Sequence, residues 1–232
     1  MNLLKQLYSI HSPSHGEAKM SAFVKAWLTK RGIPFDTDRK GQIFKLIPGR
    51  PIVSCHMDQV QSGPPGGFVI KTNTEGKTEI HGAKDGLGAD DKNGIWICLN
   101  LLARWDTSFI FSTGEESLSK DVDDVLASNE EVLKRIPYCL VFDRRGSGDI
   151  IATENGYCTK NFAERVAKEG AKEEFRYHLE AGIFSDADAI SEHCECVNLS
   201  VGYYRAHSKE EYTVFEELQT ALAFGDHLLN TL

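Results

Sequence analysis

The sequence has no long apolar run, no excess of positive charge, no internal repeat and no linker rich in Pro, Gly and Ser. Because it contains no stretch of about 18 apolar residues, no transmembrane helix is expected. Lys5 and Gln6 interrupt the apolar residues near the N-terminus, so a signal peptide is not expected either. Acidic residues outnumber basic ones by 34 to 26, and the net charge of −8 disfavours nucleic acids and anionic membranes as partners.

Six cysteines in 232 residues are weak evidence for a disulfide framework. Cys55, Cys98 and Cys139 lie in apolar runs, where a thiol behaves as a small hydrophobic group. Cys194 and Cys196 are spaced like half of a zinc site, but no second Cys or His pair at zinc-site spacing follows them. We therefore interpret the cysteines as structural and expect a reducing, cytoplasmic location.

Short apolar runs alternate with amphipathic stretches, which is the pattern of an α/β protein. Strands are predicted at residues 42–47, 52–56, 68–72, 78–81, 108–112, 138–142, 150–152, 174–179 and 197–204. After a short first helix, helices are predicted at residues 14–32, 92–105, 120–134, 160–168, 186–193 and 209–229. Ser14 and Glu17 have the spacing of a capping box for the second helix, and Glu75-Gly76 suits a hairpin turn. The pattern predicts one domain over residues 1–232, a three-layer αβα fold with a mostly parallel, mixed central sheet.

Acidic residues and histidines follow the predicted strands at the points where the strands end. They are His56 and Asp58, Glu115 and Glu116, Asp143, and His207, and the pair Asp90-Asp91 follows the Gly-rich loop 82–88. Ligands of open α/β sheets gather beyond the carboxyl ends of the strands, so we expect these side chains to meet at one edge.

Two imidazoles with several carboxylates form a mixed N/O donor set that suits Zn²⁺, with Mn²⁺ or Co²⁺ as alternatives. The set exceeds the needs of one tetrahedral ion and matches two ions that share a bridging carboxylate. Asp58 is close enough in sequence to accept the second ring N–H of His56. On an extended segment the side chains of Glu115 and Glu116 diverge, so that one can bind metal while the other carries a proton.

Each of these motifs also has an ordinary structural interpretation. A His-x-Asp sequence is common, carboxylate doublets are usually solvated surface, and His207 after a strand can simply cap or hydrogen-bond. We interpret the other histidines as structural or exposed: His11, His15, His81, His178, His193 and His227. The order, spacing and strand-end placement of the motifs together favour a functional site.

The motifs, taken in order, resemble the five metal-site motifs of the co-catalytic zinc exopeptidases, the superfamily of zinc aminopeptidases, tripeptidases and glutamate carboxypeptidases. They are His56-Met57-Asp58, Gly88-Ala89-Asp90-Asp91-Lys92-Asn93-Gly94, Gly114-Glu115-Glu116, Asp143 and His207-Ser208. They span most of the chain, and the Gly-Ala-Asp-Asp-Lys segment is a specific match.

The resemblance implies five metal ligands: His56, Asp90, Glu116, Asp143 and His207. The two histidines would bind different ions, Asp90 would bridge the ions, and Glu116 and Asp143 would each complete the coordination of one ion. Asp91 is the alternative to Asp90 as the bridge. Asp58 would orient His56, and Glu115 would act as the general base.

The sequence also departs from the pattern of many relatives, which carry a lid or dimerisation domain after the motif of Asp143. Only 64 positions separate Asp143 from His207, too few for such an insertion, so a single-domain form without a lid is expected. Arg144 or Arg145 would either receive a substrate carboxylate or balance the acidic cluster. Asp186, preceded by Ser185, would either lie near the substrate or cap a short helix.

The implied function is dinuclear zinc-dependent hydrolysis of peptide bonds, by an aminopeptidase or a di- or tripeptidase. The implied substrate is a small peptide or a related amide. An amidase or deacylase of N-acyl amino acids and a non-catalytic binding module of the same fold are the alternatives. The oligomeric state stays open.

Overall fold

Two β-sheets and eight α-helices are found in a computed structural model that describes residues 1–61, 63–119 and 121–232. The strands are β1 (Asp36–Thr37), β2 (Ile43–Lys45), β3 (Ile52–His56), β4 (Phe68–Thr72), β5 (Thr78–Gly82), β6 (Ser108–Ser112), β7 (Tyr138–Arg144), β8 (Asp149–Ile151), β9 (His178–Glu180), β10 (Glu195–Ser200), β11 (Tyr203–Tyr204) and β12 (Tyr212–Val214). The helices are α1 (Asn2–Tyr8), α2 (Ala18–Lys30), α3 (Ala89–Leu102), α4 (Asp121–Ala127), α5 (Glu130–Leu133), α6 (Lys160–Gly170), α7 (Ala187–Ile190) and α8 (Phe215–Thr231).

The central sheet has eight strands in the order β1-β2-β6-β3-β7-β10-β8-β9. Its middle strands β6, β3, β7 and β10 are parallel, whereas β1, β2 and the β10–β8 pair supply antiparallel contacts. The prediction of a mostly parallel, mixed sheet is therefore confirmed.

Helices cover both faces of this sheet, because its middle strands are apolar on both sides. On β6, Phe109 and Phe111 pack in one core with α1, α2, α3 and α8, while Ile110 between them packs in a second core with α4 and α7. Successive side chains of a strand point to opposite faces, so an unbroken apolar run buries both. The three-layer αβα fold is confirmed.

A second, smaller sheet was only partly predicted. Its four antiparallel strands lie in the order β11-β12-β5-β4, and the predicted hairpin is the β4–β5 pair. The helix predicted at 209–229 is wrong at its start, because Tyr212–Val214 forms β12 against β5 before α8 begins. Aromatic and β-branched residues favour such pairing.

The single strand predicted at 197–204 is also wrong, because the chain turns between β10 and β11. Gly202 has a φ of +76° there, and a Cβ atom at this position would lie 2.7 Å from the backbone nitrogen of Leu218. Only glycine fits both the conformation and the space. The turn separates β11, which carries the chain towards His207, from the central sheet.

Several further boundaries differ from the prediction, and three of the differences are a shift of four residues or a break in the element. The helix expected from Ser14 begins at Ala18, and neither Ser14 nor Glu17 caps it with its side chain. The strand expected at 174–179 is β9, which begins only at His178. The helix expected at 120–134 is two helices, α4 and α5, and its first residue, Lys120, lies outside the described residues.

All six cysteines are free thiols, and Cys55, Cys98, Cys139 and Cys196 are buried. Within residues 1–61, 63–119 and 121–232, no helix has both the length and the apolar character to cross a bilayer.

Candidate metal centre

The central strands β6, β3 and β7 are neighbours in the sheet and run parallel, so their carboxyl ends lie side by side. His56 is the last residue of β3, Glu115 and Glu116 follow β6, and Asp143 lies near the end of β7. Asp90 reaches the same place from the start of α3, where its backbone is not helical. The strand-end pattern thus delivers these side chains to one edge.

The first group of potential ligands consists of His56, Asp90 and Asp143. The Nε2 atom of His56 lies 3.2 Å from Oδ1 of Asp90 and 3.3 Å from Oδ1 of Asp143. All three side chains are less than a tenth exposed. One atom from each lies within 4.8 Å of the others, which suits a shared cation.

The second group consists of His207, Glu116 and again Asp90. Nε2 of His207 lies 2.8 Å from Oε2 of Glu116 and 3.3 Å from Oδ2 of Asp90. His207 is half-exposed, whereas both carboxylates are buried. The two oxygens of Asp90 therefore face two different imidazoles, the geometry of a carboxylate between two cations.

Asp91 has a different environment. Its carboxylate accepts hydrogen bonds from the backbone N–H groups of Gly94 (2.9 Å) and His56 (3.3 Å), and it is completely buried. Of the two adjacent aspartates, which are joined by a cis peptide bond, Asp90 is the one whose oxygens lie between the imidazoles.

Asp58 contacts both His56 and the segment that carries the two glutamates. Its Oδ1 atom lies 3.3 Å from Nδ1 of His56, and its carboxylate accepts the backbone N–H groups of Glu115 and Glu116, each at 3.1 Å. Burial raises the pKa of Asp58, but its hydrogen bonds outweigh burial and hold the pKa below its ordinary value. Ser14 donates to Asp58 as well, at 2.7 Å.

Glu115 and Glu116 lie on a 3₁₀ turn and not on the extended segment that was predicted. The reason is Gly114, whose left-handed conformation (φ +73°) turns the chain directly after β6. The two side chains still diverge: Oε2 of Glu115 lies 4.0 Å from Nε2 of His56, while Glu116 contacts His207.

The cluster holds more negative charge than its surroundings compensate. Burial raises the pKa of Asp143 to about 7 and that of Glu115 to about 9. Hydrogen bonds to Asp90 and Glu116 raise the pKa of His207 to about 10. Among the described residues, the ion-pair partners of the clustered carboxylates are His56 and His207 alone, without Lys or Arg. These carboxylates are Asp58, Asp90, Glu115, Glu116 and Asp143.

Divalent cations fit this cluster. Lys92, a buried lysine directly after Asp91 in the sequence, directs its Nζ atom away from the cluster's carboxylates, to Gln59 and to the carbonyl oxygen of Leu87. Oε1 of Glu116 is buried without a hydrogen-bond partner in the part of the chain that the structure describes. A metal ion such as Zn²⁺ would take these groups as ligands: carboxylates of raised pKa, an unpartnered carboxylate oxygen and two imidazoles.

The second group and Asp143 open onto a cleft of about 510 Å³. Arg144 lines this cleft, but its Nε atom donates to Asp149 at 3.1 Å. Arg145 and Arg205 line it too, and neither has an acidic partner within the described residues.

Asp186 lines a neighbouring cavity and not this cleft. It accepts a hydrogen bond from Ser112 at the end of β6, and burial raises its pKa to about 6. Its side chain does not cap α7; Ser185 accepts the N–H group of Ala187 instead (3.3 Å).

Two carboxylates that support the site were missed in the sequence. Glu211 is completely buried and accepts the backbone N–H groups of Ala89 (3.1 Å) and Asp90 (3.2 Å). Glu17 accepts the N–H group of Gly114 at 3.1 Å, directly before the two glutamates. Both are distant in sequence from the residues they hold. No local pattern marks Glu211, and the local pattern around Glu17 predicted a helix cap instead.

Solved structures share this fold. An aminopeptidase from the archaeon Desulfurococcus kamchatkensis aligns with a TM-score of 0.76 at 14% identity, covering 100% of this chain and 94% of that one. Aminopeptidase PepT from Bacillus cereus aligns at 0.73 and 15% identity, covering 98% and 96%. A tripeptidase from Staphylococcus aureus aligns at 0.71 and 12% identity, covering 99% and 98%. No protein-family model and no curated protein matches the sequence. At these low identities the structural alignments establish the fold alone, and activity has to be argued from the site.

Proposed function

We propose that this chain is a two-metal hydrolase of peptide bonds and a member of the co-catalytic zinc exopeptidases. The observation that carries the proposal is the pair of ligand groups that share Asp90, with His56 and Asp143 on one side and Glu116 and His207 on the other. The solved structures with this fold that are described as aminopeptidases and a tripeptidase support the same class.

Two divalent cations, Zn²⁺ first among them, would polarise the scissile carbonyl and lower the pKa of a bound water when held by these ligands. Glu115 would act as general base and then as general acid, taking the proton of the attacking water and delivering it to the leaving amine. Its carboxylate lies beside the first ligand group without itself completing either group. Asp58 would hold the imidazole of His56 and the backbone of Glu115 in fixed positions relative to each other.

The cleft supports a small substrate. Its volume of about 510 Å³ is typical of small-molecule sites and suits a di- or tripeptide better than a folded protein. Arg145 and Arg205 are better placed than Arg144 to receive a substrate carboxylate, because Arg144 is already paired with Asp149. The six free thiols support a reducing, cytoplasmic location.

We also propose that residues 1–232 act as one catalytic unit without an inserted lid. Between Asp143 and His207 the chain forms strands of the two sheets together with α6 and α7, which pack against the central sheet.

The test compares aminoacyl-anilides, unblocked dipeptides and tripeptides, and N-acyl amino acids as substrates of protein loaded with Zn²⁺, Mn²⁺ or Co²⁺. We expect hydrolysis of the unblocked peptides that is lost with a chelator and restored by metal. Hydrolysis of N-acyl amino acids alone would replace the proposal with an amidase or deacylase. A metal-loaded protein that hydrolyses none of them would be a binding module, and the proposal would be wrong.

A further inference from the structure

Three large apolar side chains that line the cleft are exposed to solvent. Leu118 is 70% exposed, Ile183 is 73% exposed and Phe184 is 46% exposed. The described residues contain eight exposed large apolar side chains, so three of eight gather beside the potential metal ligands. Their exposure contributes little to folding, since burial from water is the source of apolar stabilisation. If a bound ligand covered these side chains, their burial would stabilise the complex instead.

Leu118 is held in this exposed position by the turn that carries Glu115 and Glu116. Its backbone is left-handed (φ +56°), a conformation that leucine adopts at a cost. The turn fixes it through the hydrogen bond from its N–H group to the carbonyl oxygen of Glu115 (2.9 Å). Such disfavoured backbone conformations cluster at functional sites. Leu118 thus lies two residues from a potential metal ligand.

Ile183 and Phe184 belong to a segment that is anchored on both sides. The N–H group of Gly182 donates to Asn155 at 2.9 Å, and the N–H group of Ser185 donates to Asp188 at 2.8 Å. The two apolar side chains therefore project from a backbone that is fixed by hydrogen bonds, as a binding surface requires.

We propose that Leu118, Ile183 and Phe184, the apolar wall, bind an apolar side chain of the peptide substrate beside the scissile bond. This rests on the proposed function. The substrates are then short peptides with a leucine-, phenylalanine- or methionine-like residue at the cleaved bond. A glycine leaves the wall in water, and a charged side chain loses hydration against it without gaining a partner.

The test measures kcat/KM of the zinc-loaded enzyme on two sets of short peptides. In one set the residue on the amino side of the cleaved bond is Leu, Phe, Met, Gly, Asp or Lys; in the other set the residue on the carboxyl side is varied in the same way. We expect one set to show a preference of about tenfold or more for the apolar residues over Gly. Leu118→Ala and Phe184→Ala should each reduce the Leu/Gly ratio at least about threefold. Ile70→Ala is the control, because Ile70 is 49% exposed on β4 and does not line the cleft.

The outcomes separate the two proposals. Hydrolysis without an apolar preference in either set, or a Leu/Gly ratio that neither wall variant changes, overturns the apolar wall and leaves the proposed function intact. No hydrolysis of any peptide refutes both. Sedimentation of the wild type and both wall variants provides a second measurement. If the wall substitutions dissociate an oligomer, the wall is a contact between copies of the chain and the substrate proposal is wrong.

Discussion

Replacing Glu115 by Gln should remove most of the activity while leaving the metal ions in place. The carboxyl group lies 4.0 Å from Nε2 of His56, and it makes no hydrogen bond within the described part of the chain that would restrain it. Glutamine keeps the size of the side chain but cannot accept the proton. General-base catalysis contributes a factor of about 10²–10⁴, so the barrier should rise by about 2.7–5.4 kcal/mol at about 1.36 kcal/mol per decade.

The same substitution should not weaken folding. Glu115 is 8% exposed, and burial raises its pKa because it disfavours the charged carboxylate, so the neutral amide of glutamine suits this position at least as well. The assay is kcat/KM on a hydrolysed peptide, with zinc content by elemental analysis and the melting temperature on the same samples. Glu75→Gln, at a mostly exposed glutamate in the β4–β5 turn, is the control. If Glu115→Gln kept its two ions and stayed within threefold of the wild-type rate, Glu115 would not be the base.

Further predictions concern the metal ions. His207→Ala should reduce bound zinc from two ions to one in elemental analysis, because His207 belongs only to the group with Glu116 and Asp90, whereas His227→Ala on α8 should leave two. Chelation should lower the melting temperature by about 5–10 °C. A ligand at 100 times its Kd adds about 2.7 kcal/mol to the free energy of unfolding, and 1 kcal/mol shifts the melting temperature of a chain of this size by about 2–4 °C. An unchanged calorimetric transition would contradict this prediction. Zinc affinity should rise from about pH 6 to 8, because without metal the pKa of His207 is about 10 and that of Asp143 about 7, so protons must leave on binding. Titration calorimetry in buffers of different ionisation enthalpy would refute this by showing no proton release.

The central strands could be predicted because their residues are buried on both faces. The observed bounds of β3 and β6 are those of the predicted strands, since every residue of each strand is buried and the apolar run is unbroken by turn residues. The second sheet is harder to predict, because β11 and β12 have only two and three residues. Such short strands form through their partners and leave no periodic signal of their own.

The approximate location of the site could also be predicted, because parallel strands end at one edge and the motifs follow those ends. The atomic pairings could not. Ser14 and Glu17 have the residue types and spacing of a helix cap. Instead, the hydroxyl group of Ser14 donates to Asp58 and the carboxylate of Glu17 accepts the N–H group of Gly114, and both partners are far away in sequence. Glu211 reaches Asp90 across more than a hundred positions. A hydrogen-bond acceptor is satisfied by whichever N–H group the fold brings near it.

The most direct test of the account is anomalous diffraction at the zinc edge from crystals of the metal-loaded protein. We predict two peaks about 3.5–4 Å apart, the spacing of two-metal hydrolases, with Asp90 between them. One peak should be contacted by His56 and Asp143, and the other by Glu116 and His207. A single peak, or two peaks that do not share Asp90, would contradict the two-metal centre and the hydrolase function that depends on it.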